Sequence, residues 1–345
     1  MADSVLYFPS IRPPENEWFA RVLLYWNRVG TILPVQYAED HAFLRPYTSA
    51  LLGEGLLVPI PPDASVWRSG VTDYFAAFLN LVDRDPLQVG GMPASQREWT
   101  RVHLDKTGLG LALALVDRDL AKEPTGPEYS TWIEVERRTA DLLMAFLAAI
   151  VGKDEQVGMD PVTDSAAAIA AFTALPEEDR QIGTELEPIR YALLRDILPG
   201  PAAGIEPARL AEFKAEHEHL LIGFRNRVER KAIECAQVAD HRLRAAMVDG
   251  ARVDFASELD EIERRMNERR WPLAARGALG VAVVALGIAD LATTGGSAYA
   301  LIGSSLGLAG SVDAAFQGRR RRDVLEHPLA FAALARRELG RDANA

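Results

Sequence analysis

Val102-His103-Leu104-Asp105-Lys106-Thr107-Gly108 sets an imidazole, a carboxylate and an amine within four residues. Those are the groups from which acid–base chemistry is built. The segment ends a β-type run and precedes a helical one, the junction at which α/β proteins place functional side chains. His103, Asp105 and Lys106 are therefore the candidate catalytic residues. Two observations hold the reading back. Gly108-Leu109-Gly110 is not a dinucleotide fingerprint, and Lys106-Thr107 lacks the upstream glycine loop that cradles phosphates. The plainer expectation is strand-end packing and helix capping.

Other chemistry-bearing residues point the same way. Glu216-His217-Glu218-His219 mixes imidazoles and carboxylates, but a zinc pair needs i and i+4 placement and these histidines are two apart. His217 falls on an apolar stripe, as a core-edge histidine. Cys235, the single cysteine, also falls on that stripe and reads as a buried, inert thiol. Asp160-Pro161-Val162-Thr163-Asp164 reads as helix capping, and no Gly-x-Ser-x-Gly nucleophile elbow occurs in a strand-to-helix context. No metal or cofactor motif is found.

The elements that must position these groups are of two kinds. In residues 1–151, proline-bounded β-runs at 5–8, 31–33, 56–60 and 100–104 alternate with helical patterns at 15–29, 65–82 and 108–120. A small α/β domain with a three- or four-stranded sheet follows, with strand-end prolines favouring edge positions. The stretch 132–151 reads as a buried helix closing this domain. A helical domain at 160–271 comes next, built on a long amphipathic helix from Pro207 that breaks, if anywhere, near Asp249-Gly250. The fold class is thus α+β and predominantly helical.

Residues 272–318 are of another character. Two apolar runs carry Gly280 and Gly287, then Gly296, Gly303, Gly307 and Gly310; most of these glycines are seven apart, about two helical turns, and mark a stripe where a second helix comes close. Arg269, Arg270 and Arg276 flank the runs on one side, and Arg319, Arg320, Arg321 and Arg322 on the other. Basic flanks around an uncharged turn suit a glycine-zipper hairpin with both ends inside the cell. Each run is only marginally long for a transmembrane helix, and the same pattern suits a hairpin buried in a soluble bundle or oligomer interface. A basic segment and C-terminal helix occupy 319–345.

With 345 residues, 48% hydrophobic and 25% charged, the chain has ordinary globular composition. A net charge of −11 argues against nucleic-acid binding. The lone cysteine and the absence of a secretion signal predict a cytoplasmic location, with association to the inner face of the cell membrane through the hairpin.

Leu6-Tyr7-Phe8-Pro9, Glu17-Trp18-Phe19, Leu24-Tyr25-Trp26-Asn27-Arg28-Val29 and Ile32-Leu33-Pro34 resemble a group of bacterial proteins without assigned function. The likeness extends through His103-Leu104-Asp105-Lys106, Trp132-Ile133-Glu134-Val135-Glu136 and Pro161-Val162-Thr163-Asp164 to Phe224-Arg225, about the first 230 residues. It implies a bacterial origin and no activity or catalytic residue.

Three functional expectations follow. The first is a non-enzymatic bacterial protein with a sensing or binding N-terminal domain and a membrane-inserting or membrane-docking hairpin, an architecture that suits a stress or phage-defence effector. Its partners would be membrane lipid and a second copy of the chain, through the hairpin or long helix. The second is a soluble helical interaction protein whose hairpin is buried. The third is an enzyme using His103, Asp105 and Lys106.

Overall fold

A computed structural model describes residues 3–40, 44–62, 71–84, 97–123, 131–177, 182–201, 204–268 and 324–340. In chain order these form β1 (Ser4–Tyr7), α1 (Glu17–Tyr25), β2 (Arg28–Ile32), α2 (Val35–Glu39), α3 (Pro46–Gly53), β3 (Leu57–Ile60), α4 (Val71–Arg84) and β4 (Trp99–His103). Then come α5 (Leu104–Val116), β5 (Trp132–Glu136), α6 (Arg137–Lys153), β6 (Asp160–Val162), α7 (Ala166–Thr173), α8 (Ile182–Arg195), α9 (Pro207–Ala236), α10 (His241–Glu268) and α11 (Ala330–Leu339). The α+β, mainly helical class expected from the sequence is what the chain adopts.

The sheet runs β3-β2-β1-β6 with every pairing parallel. Its two faces follow from the period of 2 along each strand. Val5 and Tyr7 join Val29, Leu57 and Val162 on one face; Leu6 and Phe8 join Ile32 and Met159 on the other. Because both faces are covered, β1 is apolar from Val5 to Tyr7 rather than alternating with polar residues. Gly30 of β2 lets the layers close: a Cβ there would lie 2.6 Å from the Met159 sulfur.

One face is covered by α1, α3 and the helices of the C-terminal half, the other by α4 to α7 and the antiparallel pair β4-β5. The first layer is anchored by aromatic contacts: Phe331 of α11 lies edge-on to Phe213 and stacked on Phe224 of α9, at 5.3 and 5.6 Å. Each such buried side chain contributes about 1.5–3 kcal/mol. From Ala330 to Ala335 every residue of α11 is buried. The chain therefore returns to the same core after residues 269–323.

Several expectations need correction. Trp132 does not begin a helix: Ile133 and Val135 alternate inward as β5, and Glu136 caps α6 by accepting from the Thr139 amide at 2.8 Å. The run at 100–104 lies outside the parallel sheet, pairing with β5 instead; the fourth parallel strand is the three-residue β6, read earlier as capping. The cap before α7 is Ser165. β1 and β2 are central despite the prolines beyond them, since Pro9 and Pro34 follow the strands rather than sit in them, while Pro59 and Pro161 are in edge strands. The long helix breaks at residues 237–240, and α10 runs through Gly250. No helix among the described residues is long and apolar enough to cross a membrane.

Candidate functional site

The strand order turns around at β1. From β1 the chain steps outward through β2 and β3, then crosses to the other side of β1 to form β6. Such a reversal leaves a crevice beyond the carboxyl ends of the strands, where open α/β sheets bind ligands. Here the segment after β1, from Pro9 to Arg12, forms one wall of a cavity of about 590 Å³.

The opposite wall comes from β4, α5, β5 and α6. His103 ends β4 and caps α5, its Nδ1 accepting the Asp105 amide at 3.2 Å. That acceptor role leaves the proton of a neutral ring on Nε2, which lies 2.7 Å from the Gln36 amide nitrogen; the pair bonds in this tautomer with the Gln36 amide turned so that its oxygen accepts. Trp132 and Tyr37 meet the imidazole edge-on at 5.0 and 5.8 Å. Burial holds the His103 pKa below its usual range; Asp105 opposes the shift and Lys106 adds to it. Gly108, at φ +67°, kinks the chain after this cap, and its missing side chain makes room for the Phe75 ring.

Lys106 is the deepest charge in the cavity, 6% exposed. Burial alone lowers its pKa to about 7. Arg12, Arg101 and Arg137 contribute exposed positions to the same lining. Asp141 is the one carboxylate in the lining among the described residues. It pairs with Arg137 at 3.4 Å, and burial raises its pKa despite that partner. The cavity thus carries a local excess of positive charge in a chain of net charge −11, together with the apolar surfaces of Trp132 and Met144.

No family profile, curated protein or solved structure matches this chain. The case for the site therefore rests on its geometry.

Of the sequence candidates, His103 and Lys106 share the cavity, whereas Asp105 is not part of its lining and lies 3.6 Å from His103 Nδ1. The capping expectation holds, since His103 caps α5, and the same side chain lines the cavity. Arg12, Arg101, Arg137 and Asp141 were missed. Arg12 had a signal, lying just past the first strand; Arg137 and Asp141 had none, because 132–151 was read as one helix. Gly280, Gly287, Gly296, Gly303, Gly307 and Gly310, with Arg269, Arg270, Arg276, Arg319, Arg320, Arg321 and Arg322, lie outside the described residues.

The amino end of the sheet is built differently. Lys214 of α9 donates to the carbonyls of Leu23, Trp26 and Asn27 at 2.8, 2.6 and 3.1 Å, around the C-terminal end of α1. Burial and Arg225 pull its pKa down to about 7, while the three carbonyls favour the charged form. Nearby, Glu229 accepts from Tyr25 at 2.7 Å and Arg190 at 2.6 Å, and Arg225 reaches Asp3 at 2.8 Å while lying over Trp26.

His217 is buried on α9, 3.5 Å from Glu338 of α11, with Glu216 close enough that their ligand atoms fall within 4.8 Å. The pair ties α11 to α9. Cys235 is fully buried, and burial raises its thiol pKa.

Proposed function

We propose that this chain is a binding protein whose cavity at the carboxyl end of the parallel sheet receives a small anionic ligand. The observation that carries this reading is the convergence of Arg12, Arg101, Lys106 and Arg137 on one cavity with a single carboxylate, Asp141. Charge-assisted hydrogen bonds from guanidinium to carboxylate or phosphate are directional and strong. The apolar wall of Trp132 and Met144 would hold the uncharged part of the same ligand.

Thermal melts of the full chain in low-salt buffer test this. Phosphate, sulfate and small dicarboxylates should raise Tm in a saturable way, and Arg101→Gln and Arg137→Gln should each weaken the half-saturating concentration about tenfold. A Tm that no anion raises, or variants that respond like the original chain, would refute the reading.

The response to that ligand would be carried by residues 272–318, which we propose engage a membrane as a glycine-zipper hairpin from the cytoplasmic side. Two features support this: the arginines flanking the segment, and the return of α11 to the core that α10 belongs to, which holds both ends of the excursion in one bundle. Truncation at Trp271 would strip away Phe331 and the rest of α11. The informative variant instead replaces 272–318 with a Gly/Ser linker. Flotation with anionic vesicles should carry the full chain and leave the linker variant behind, with and without the anions above. Equal recovery of both at the bottom of the gradient would favour a hairpin buried against protein.

A further inference from the structure

Lys106 remains unexplained by anion binding alone. Arginine is the chain's ordinary cation, with 33 arginines against five lysines. An arginine at position 106 would bind an anion with more directional bonds and would never lose its charge. Instead the least exposed cation in the cavity is an amine, set where its environment disfavours the ammonium form. Asp141, the carboxylate of the lining, is paired with Arg137.

A lysine desolvated in the wall of a cavity is an arrangement in which a primary amine becomes a nucleophile towards carbonyl carbon. The groups around it fit a ligand with two functions: guanidiniums of Arg12, Arg101 and Arg137 for an anionic group, and the amine for a carbonyl. We propose that Lys106 forms an imine with an aldehyde or ketone that bears a carboxylate or phosphate group. This rests on the anion-binding reading above and specifies the ligand.

The step balances without an oxidant or reductant. The neutral amine attacks the carbonyl carbon; the N–C bond forms as the C=O π pair moves to oxygen, which takes up the proton shed by nitrogen. The resulting carbinolamine then loses its hydroxyl with a further proton as water, and the nitrogen lone pair closes the C=N bond. Among the described residues, His103 and Arg101 on β4, Arg137 and Asp141 on α6, Arg12 after β1 and Tyr37 on α2 are the titratable and charged groups facing this space.

The test is reductive trapping on the full chain, with glyoxylate as the probe and sodium cyanoborohydride as the hydride donor, read by intact mass and peptide mapping. With five lysines the map is simple. The expected result is one adduct, on the peptide containing Lys106. It should be absent in Lys106→Arg, slowed by excess phosphate, and about tenfold slower at pH 6 than at pH 8, following a proton lost near pH 7. The pH profile uses the unaltered chain, so it stands even if Lys106→Arg fails to fold. Label spread over Lys122, Lys153 and Lys231 with Lys106 unmodified, in protein whose Tm still rises with phosphate, would overturn the imine and leave the anion site standing. Loss of the phosphate response as well would remove both.

Discussion

Each end of the parallel sheet has a lysine in the lining of a cavity, of about 470 Å³ at the amino end and 590 Å³ at the carboxyl end; Lys214 gives its three N–H bonds to three carbonyls, whereas Lys106 is more deeply buried. Burial presses both amines towards a pKa of about 7, joined at Lys214 by Arg225, but the three carbonyls around Lys214 oppose that pull and hold its proton to higher pH. Their surroundings differ in what they supply. Around Lys214, acceptors and paired charges account for each cation: Arg190 has Glu229 and Glu187, and Arg225 has Asp3 and the face of Trp26. Around Lys106 stand more cations and one carboxylate. A buried lysine whose bonds are all made is a fastening. One without such bonds among the described residues, in the lining of a cavity, is a place prepared for something else.

That contrast can be broken most forcefully at the amino end. Glu229→Ala leaves Arg190 and the Tyr25 hydroxyl without their closest acceptor in a buried setting, so urea unfolding should show a loss of about 3–5 kcal/mol. A loss below about 1 kcal/mol would mean that Glu187 and Arg225 already satisfy the site. Lys214→Ala comes next, at about 2–3 kcal/mol, because three carbonyls at the end of α1 lose a charged donor. The corresponding change at the other end should behave oppositely: Lys106→Met removes a buried charge with no ion-pair partner among the described residues while keeping similar volume, so stability at pH 7 should rise, by about 1–4 kcal/mol.

The pH dependence sharpens the same comparison. The folded chain releases the Lys106 proton near pH 7, while an unfolded lysine keeps it to about 10.5. The unfolded chain therefore binds more protons across that window, and stability rises with pH there, by at most about 1.4 kcal/mol per unit. Below pH 7 the full cost of the buried ammonium is present, and above 10.5 it is gone. Lys106→Met should flatten this slope. Lys214 should contribute less to it, because its carbonyls hold the charged form, and a Lys214→Met variant that flattens the slope equally would erase the distinction between the two ends.

How far these ends could be read from the chain depended on what carries the signal. The strands at 5–8, 31–33 and 56–60 were visible because buried parallel strands are short apolar runs bounded by proline. β6 was not, since three residues with a central proline hold no period to count; its identity comes from pairing with β1. β5 was legible in principle, as Ile133 and Val135 alternate with Glu134 and Glu136, but the helical pattern that follows overran it. His103 and Lys106 were found because they are neighbours in sequence. Their companions were not, because Arg12 and Arg137 are brought together only by the crossover that reverses the strand order. The Lys214 clamp was hidden for the same reason: its partners are backbone carbonyls nearly two hundred residues earlier, and carbonyls leave no mark in a sequence.

Calorimetric titration of inorganic phosphate into the full chain at low ionic strength, beside the Arg101→Gln/Arg137→Gln double variant, tests the central claim most directly. The account predicts one saturable site per chain that the double variant loses. Heats no greater than dilution in the unaltered chain, or equal binding by both proteins, would contradict it.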